Sequence, residues 1–286
     1  MTRPGDSTVV RLVLGALLRR LREAQGISRR CAGDSIRVSE ARISRIELGR
    51  IGHHHHRDVA DLLSLYGVHS GRVREALLTL AKQASEPDRW NRYNDVLPAW
   101  FGTYIGLEQA ASTIRSYQVH CVPGLLQIAD YARAVIGLGH PDASDDEIGR
   151  RVDLRLARQD ILVGPKAPRV WMVVDEAALR RSFGGPRVMR NQLTHLLKLS
   201  ELPSVTLQTV PFNAGGQAAA DGPFILLRFP DPHVPDLVYL EQLTSALFLD
   251  RPADVDIYTM MIDRLSAVAL SVAETRDFLF ELMNEI

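Results

Sequence analysis

The chain has 286 residues, enough for two domains and a sizeable core. Hydrophobic residues make up 46% and charged residues 24%, ordinary globular values, and no apolar run reaches the roughly 18 to 20 residues of a membrane-spanning helix. The formal net charge is zero, yet residues 1–68 hold twelve Arg against seven Asp and Glu, so a basic head precedes an acidic body, as suits a phosphate-binding module.

Residues 9–25 place Leu14, Leu17, Leu18 and Leu21 at helical spacing, and Gly26 ends that helix. Ser28 and Ser39 are N-cap candidates for a second and a third short helix, the third closed by Gly49. A fourth helix spans Asp58 to Tyr66 and a fifth Gly71 to Ala84. Ser85-Glu-Pro-Asp88 reads as a linker, because Pro87 disfavours helix at Glu86. The pattern then changes. Ser144-Asp-Asp-Glu147 is a capping box opening a helix to about Leu162. Val170 to Val174 reads as a buried strand, Arg187 to Leu202 as a helix and Val205 to Val210 as a half-buried strand. Phe224 to Phe229 and Leu237 to Leu240 are further strands, Ala253 to Leu270 is helical, and Ser271-Val-Ala-Glu274 caps a last helix. The expected fold is mainly α in two domains: a five-helix helix-turn-helix module at 1–84, a linker at 85–89, and an α+β domain at 90–286. No cleavable apolar leader is evident, and Cys31 and Cys121 fall in different expected domains as free thiols, so a cytoplasmic protein is expected.

The stretch from Gly26 to Gly49 carries the functional signal. Two short helices joined by a tight turn lay the second of them in the DNA major groove. Ile27, Ala32, Ile36, Val38, Ile43 and Ile46 supply a small core, leaving Glu40, Ala41, Arg42 and Arg45 exposed on the third helix. Arg45 has the fork for guanine O6 and N7, Glu40 can accept from a cytosine amino group, and Ala41 can meet a thymine methyl.

Leu21-Arg-Glu-Ala-Gln-Gly-Ile-Ser28, then Val38-Ser39 and Ile43-Ser-Arg-Ile-Glu-Leu-Gly49, resemble the Cro/C1-type (XRE) helix-turn-helix family without gaps. The resemblance implies base contacts from Glu40, Ala41 and Arg45. It pairs Arg22 with Glu47 as a brace that can also reach phosphate, and puts Arg29 on phosphate where the family usually has glutamine. The loop after the third helix adds Arg50 and the His53 to His56 segment. With Ser39 and Arg42, the expected backbone contacts are Arg22, Arg29, Ser39, Arg42, Arg50, His53 and His55. Two departures concern geometry: Gly33 stands where the family prefers alanine, and Arg37 stands where glycine is common, in a turn that asks for a left-handed backbone.

Four successive histidines at 53–56 admit a metal site, a pH-sensitive phosphate contact or a solvated loop. Consecutive loop residues cannot all face one ion and no Cys or carboxylate cluster assists them, so neither metal nor cofactor is assigned.

Farther along, Val96-Leu-Pro-Ala-Trp-Phe101, Tyr104 to Ala110, Ile114-Arg-Ser-Tyr117, Val122-Pro-Gly-Leu-Leu-Gln127, Asp130-Tyr-Ala132, Asp175 to Arg180 and Asp250-Arg-Pro252 are similar to a group of actinobacterial regulators. These join the helix-turn-helix to a C-terminal domain of poorly defined role and are often encoded beside a small partner protein in an antitoxin-like arrangement. Physically, Val122-Pro-Gly-Leu-Leu reads as a core turn. Trp90, Trp100, Phe101, Tyr104 and Tyr117 form either a core or dimer seam or an apolar pocket, and Asp175 and Glu176 either cap a helix or face a ligand. No Gly-x-Ser-x-Gly, His-Glu-x-x-His or paired-cysteine spacing appears, and His120 beside Cys121 makes a poor dyad on a strand, so no enzyme is expected. The expected function is a sequence-specific DNA-binding regulator acting as a homodimer on double-stranded DNA. Its C-terminal domain would dimerise, sense a small molecule or peptide, or hold a small partner protein; the alternative is an antitoxin-like interaction module with DNA binding secondary. No membrane association is expected.

Overall fold

The structure, a computed structural model, describes residues 6–49, 56–69, 71–84, 89–93, 95–214, 222–230 and 234–286. The chain divides into two compact units: Met1–Arg92 with Phe101–Ala110 and Phe229–Pro235, and Tyr93–Trp100 with Ala111–Arg228 and Asp236–Ile286. Twelve α-helices and six strands are present among the described residues.

The first unit contains α1 (Asp6–Ala24), α2 (Arg29–Ser35), α3 (Glu40–Glu47), α4 (His56–Leu65) and α5 (Arg72–Ala84). Their apolar faces meet in one core of Leu14, Leu18, Ala32, Ile43, Ile46, Val59, Leu62, Leu63, Tyr66, Leu77 and Ala81. The 3.6-residue spacing read from the sequence is the cause: each short helix buries one stripe, and none is stable alone. Two glycines set the closest approaches. A Cβ on Gly15 would lie 2.6 Å from the Glu47 carbonyl oxygen, so α1 crosses the end of α3 at a separation only glycine permits. A Cβ on Gly33 would lie 2.7 Å from the Val38 carbonyl oxygen, so the turn closes on α2 at a separation that only glycine permits.

Helix α6 (Ala99–Ala110) has its residues from Phe101 onward in the first unit. Within it the Tyr104 hydroxyl donates to the buried Glu108 carboxylate at 2.5 Å.

The second unit is built on a six-stranded sheet of order β3-β2-β1-β4-β5-β6. In chain order the elements are β1 (Thr113–Gln118), α7 (Ala129–Gly139), α8 (Asp145–Arg158), β2 (Arg169–Asp175), α9 (Glu176–Arg180), α10 (Pro186–Leu199), β3 (Val205–Val210), β4 (Phe224–Arg228), β5 (Leu237–Glu241), β6 (Ala246–Leu249), α11 (Pro252–Val268) and α12 (Val272–Glu285). β1, β2 and β3 are parallel, while β4, β5 and β6 add antiparallel, so the sheet is mixed. Helical crossovers between the parallel strands fit this arrangement. One face packs Tyr117, Val173, Val210, Phe224, Leu226 and Val238 against Val255, Ile262 and Leu265 of α11. The capping boxes at Ser144 and Ser271 form as the sequence indicates. β1, β6, α6 and α7 have no counterpart among the elements legible in the sequence. β1 pairs with β2 on one side and β4 on the other although its residues read Thr-Ile-Arg-Ser-Tyr-Gln.

Candidate nucleic-acid interface

Ser28 caps α2, its hydroxyl accepting from the Cys31 amide at 3.1 Å, and Ser39 caps α3 by accepting from the Arg42 amide at 3.2 Å. The turn between them is closed by the Val38 amide donating to the Gly33 carbonyl at 2.8 Å. Arg37 sits in that turn at φ 60°, the only non-glycine residue with positive φ among the described residues. On α3, Ile43, Ile46 and Glu47 are buried, whereas Glu40, Ala41 and Arg45 are exposed. At about 100° per residue, Ala41 and Arg45 are stacked one turn apart on the exposed face, and Glu40, about 100° from Ala41, stands at the edge of that face.

Glu47 is the electrostatic centre of the motif. Its side chain is 1% exposed. Arg22 donates to it from Nε at 2.5 Å and from Nη2 at 3.1 Å, and Arg29 donates from Nε at 2.8 Å. Arg22 also donates from Nη1 to the Ile27 carbonyl at 2.8 Å, tying the end of α1 to the approach to α2. The hydrogen bond to Glu47 holds the Arg22 pKa above its ordinary value. The expected brace is therefore present, but a phosphate contact from Arg22 does not fit. The residue is 6% exposed and its three nitrogens all donate to protein acceptors.

The other expected backbone contacts divide three ways. Ser39 is exposed and retains its O–H for donation, since capping uses only its lone pair. Arg42 is partly exposed and paired with Asp58 of α4, from Nε at 2.9 Å and Nη2 at 2.7 Å. Arg50, His53 and His55 lie outside the described residues. Sequence reasoning missed both Arg42–Asp58 and Arg29–Glu47. The partners stand 16 and 18 residues apart, beyond any helical spacing rule, and only the fold brings them together.

In the second unit, residues singled out for ligand binding have structural partners. The turn at Val122–Leu126 is core: the buried Gln127 donates to the Val122 carbonyl at 2.7 Å and accepts from Arg155 at 2.7 Å. Gln192 donates to the Leu126 carbonyl at 2.7 Å and accepts from the Ile128 amide at 2.8 Å. Asp175 caps α9, accepting from the Ala177 amide at 2.8 Å, and the Tyr117 hydroxyl donates to its other oxygen at 3.3 Å. Glu176 accepts from Arg180 at 2.6 Å and from the Phe212 amide at 2.8 Å. The aromatic stretch is not one seam: Tyr117 packs with Phe224 in the sheet core, whereas Phe101 pairs with Tyr104 in α6. His120 and Cys121 lie past the end of β1, and burial pushes the Cys121 thiol up, away from nucleophilic character. Among the described residues no group of three or more His, Cys, Asp or Glu could hold a metal ion, and no helix is long and apolar enough to cross a membrane.

These features define a protein with a helix-turn-helix head and a mixed-sheet body. Residues 13–77 match the helix-turn-helix domain family, a class of module that binds DNA. Residues 101–281 match the domain of unknown function DUF5753, and the chain belongs to that family. No curated protein matches the chain, and no solved structure does.

Proposed function

We propose that this protein is a sequence-specific transcriptional regulator of the Cro/C1 (XRE) type that reads the major groove with α3 as a homodimer. The observation that carries this reading is the arrangement of Ala41 and Arg45 on the exposed face, with Glu40 at its edge, of a helix whose opposite side is locked into a core. Arg45 forms no ion pair among the described residues, so its guanidinium is available for a guanine edge. Arg29, Ser39, Arg42, Arg50, His53 and His55 would contact the sugar-phosphate backbone, and Arg22 would act as a brace. One eight-residue reading helix buries too little for tight, selective binding. Two copies reading half-sites about one helical turn apart supply the remainder. Residues 1–84 would then be the reading domain and 90–286 the regulatory one, which dimerises, senses a ligand or holds a protein partner. Intracellular action follows from this function.

The test is binding of the full chain to the DNA upstream of its own coding region, against random duplex, across a salt series. Arg45→Ala should cost about 1–3 kcal/mol on the specific duplex and relax preference at one base pair. Equal loss on both duplexes would overturn the role of Arg45. Wild-type binding without sequence preference would overturn the regulator reading in favour of a protein-interaction module.

A further inference from the structure

Resting on that DNA-binding reading, we propose that Arg29 is a phosphate clamp aimed by Glu47. The buried carboxylate grips the guanidinium at Nε and leaves Nη1 and Nη2 as an ordered pair of donors for one backbone phosphate. Arg29 is the first residue of α2, and its side chain is 34% exposed while that of Glu47 is 1% exposed. Its Nε donates to Glu47 Oε2 at 2.8 Å, and neither terminal nitrogen makes a hydrogen bond among the described residues.

The charge balance points outward. Glu47 meets two guanidiniums, Arg22 and Arg29, and Glu23 accepts from Arg22 and Arg19, so three arginines share two carboxylates and the cluster holds one positive charge in excess. Of the two arginines held by Glu47, Arg22 is buried and Arg29 is the one that reaches solvent. A cation in the first turn opposes the helix dipole, and α2 has no acid there to offset it. Glu47 from α3 supplies the compensation and fixes the side chain at the same time. A side chain ordered before binding loses little entropy when a phosphate arrives. The device requires the planar fork of arginine. Lysine would carry the same charge without an Nε–H to hold and a separate pair of donors to offer. Glu47 is thus a positioning residue for Arg29 as well as the partner of Arg22.

The experiment titrates random-sequence duplex with the full chain across a salt series, so no operator need be known. Arg29→Lys should lower affinity about tenfold at unchanged salt slope, since the charge stays and the geometry goes. Arg29→Gln should lower affinity at least as much and flatten the slope by about one unit, a change that a purely structural role would not produce. With Glu47→Gln already in place, Arg29→Lys should lower affinity by at most about twofold further, because the amide has a single acceptor oxygen and the buried Arg22 takes it. Wild-type affinity in Arg29→Lys would overturn the positioning by Glu47. Unchanged affinity and slope in Arg29→Gln would overturn the phosphate contact. Circular-dichroism melts show whether each variant folds, and if Glu47→Gln does not, the two single Arg29 substitutions decide the matter. Failure of the underlying DNA reading looks different: the wild-type chain itself binds neither random nor upstream duplex, and the clamp falls with it.

Discussion

In the helical unit Arg19, Arg22 and Arg29 share Glu23 and Glu47, which leaves one positive charge over, and Arg30, Arg37 and Arg45 stand exposed with no ion pair among the described residues. In the sheet unit many arginines are joined to carboxylates: Arg180 spans Glu176 and Glu285, Arg115 meets Asp263, Arg228 meets Asp236, Arg276 meets Glu201 and Arg150 meets Asp95. Its exposed arginines without an ion pair among the described residues, such as Arg169, Arg190, Arg251 and Arg264, are scattered over β2, α10 and α11 with its N-cap, whereas Arg30, Arg37 and Arg45 fall within one motif. Exposed pairs of this kind contribute little to stability, but they flatten the surface potential. Cations left unneutralised around one exposed helix concentrate it. Composition alone shows only that the head is basic; the pairing pattern shows which of its arginines are spent on the fold and which remain for a polyanion.

The largest effect that could break this contrast lies at Glu47. Glu47→Ala leaves the buried Arg22 with only the exposed Glu23 as counter-charge, and removing one partner of a buried pair costs about 3–5 kcal/mol. Urea denaturation of the full chain should show a loss of that size, together with loss of duplex binding. A loss under about 1 kcal/mol would mean that water replaces the carboxylate and that the cluster is not a brace. The counterpart in the sheet unit is Gln192. Gln192→Ala strands the Leu126 carbonyl and the Ile128 amide, at a cost of about 2–4 kcal/mol. Duplex binding by the fraction that remains folded should be unchanged, since the amide serves the turn alone. Weakened DNA affinity at full folding would tie that turn to the reading head.

Arg37→Gly sharpens the contrast at smaller cost. A left-handed backbone costs a non-glycine residue roughly 1–2 kcal/mol, partly offset by glycine's greater freedom in the unfolded chain, so the variant should gain up to about 1 kcal/mol in a urea titration. It should also bind random duplex more weakly, with a salt slope flatter by up to about one unit. Gain of stability with unchanged salt dependence would remove Arg37 from the cationic surface that faces DNA.

The two units also differ in how far the sequence discloses them. In residues 6–84 the caps at Ser28 and Ser39 and the apolar stripes are local features, so helix positions and core residues can be read directly. What stays hidden is pairing across the chain, such as Arg42 with Asp58, because charge partners are chosen by tertiary contact. In the sheet unit β2 and β3 are legible as β-branched or alternating runs, but β1 is not. Its Arg115 and Ser116 are polar, and the strand is fixed by β2 and β4 on either side together with the Arg115–Asp263 pair. Central strands normally advertise themselves by apolar residues; here tertiary neighbours override propensity. The proposed DNA contacts are legible because they lie within one short motif, whereas no equally compact constellation marks the body.

The smallest expected effect distinguishes the units by pH. His195 lies on α10 with Nε2 buried and without a hydrogen-bond partner. Burial first, then the charge of Lys198, holds its pKa below the ordinary histidine value. Above about pH 6.5 the imidazole is neutral in both folded and unfolded chains and has no effect on stability. As pH falls through the unfolded value, the unfolded chain takes up the proton first, so stability declines until the lower folded value is passed. His140 is shifted the same way, chiefly by burial and then by Arg151, and adds to the same slope. His140 and His195 both belong to the sheet unit, so mild acid should weaken that unit. In melts of the full chain from pH 8 to pH 5, His195→Gln should retain part of the slope, through His140, and lose the rest. Identical slopes in the variant and the wild type would show that His195 protonates equally in both states, and the acid sensitivity would then belong to His140 or to the histidines at 53–56.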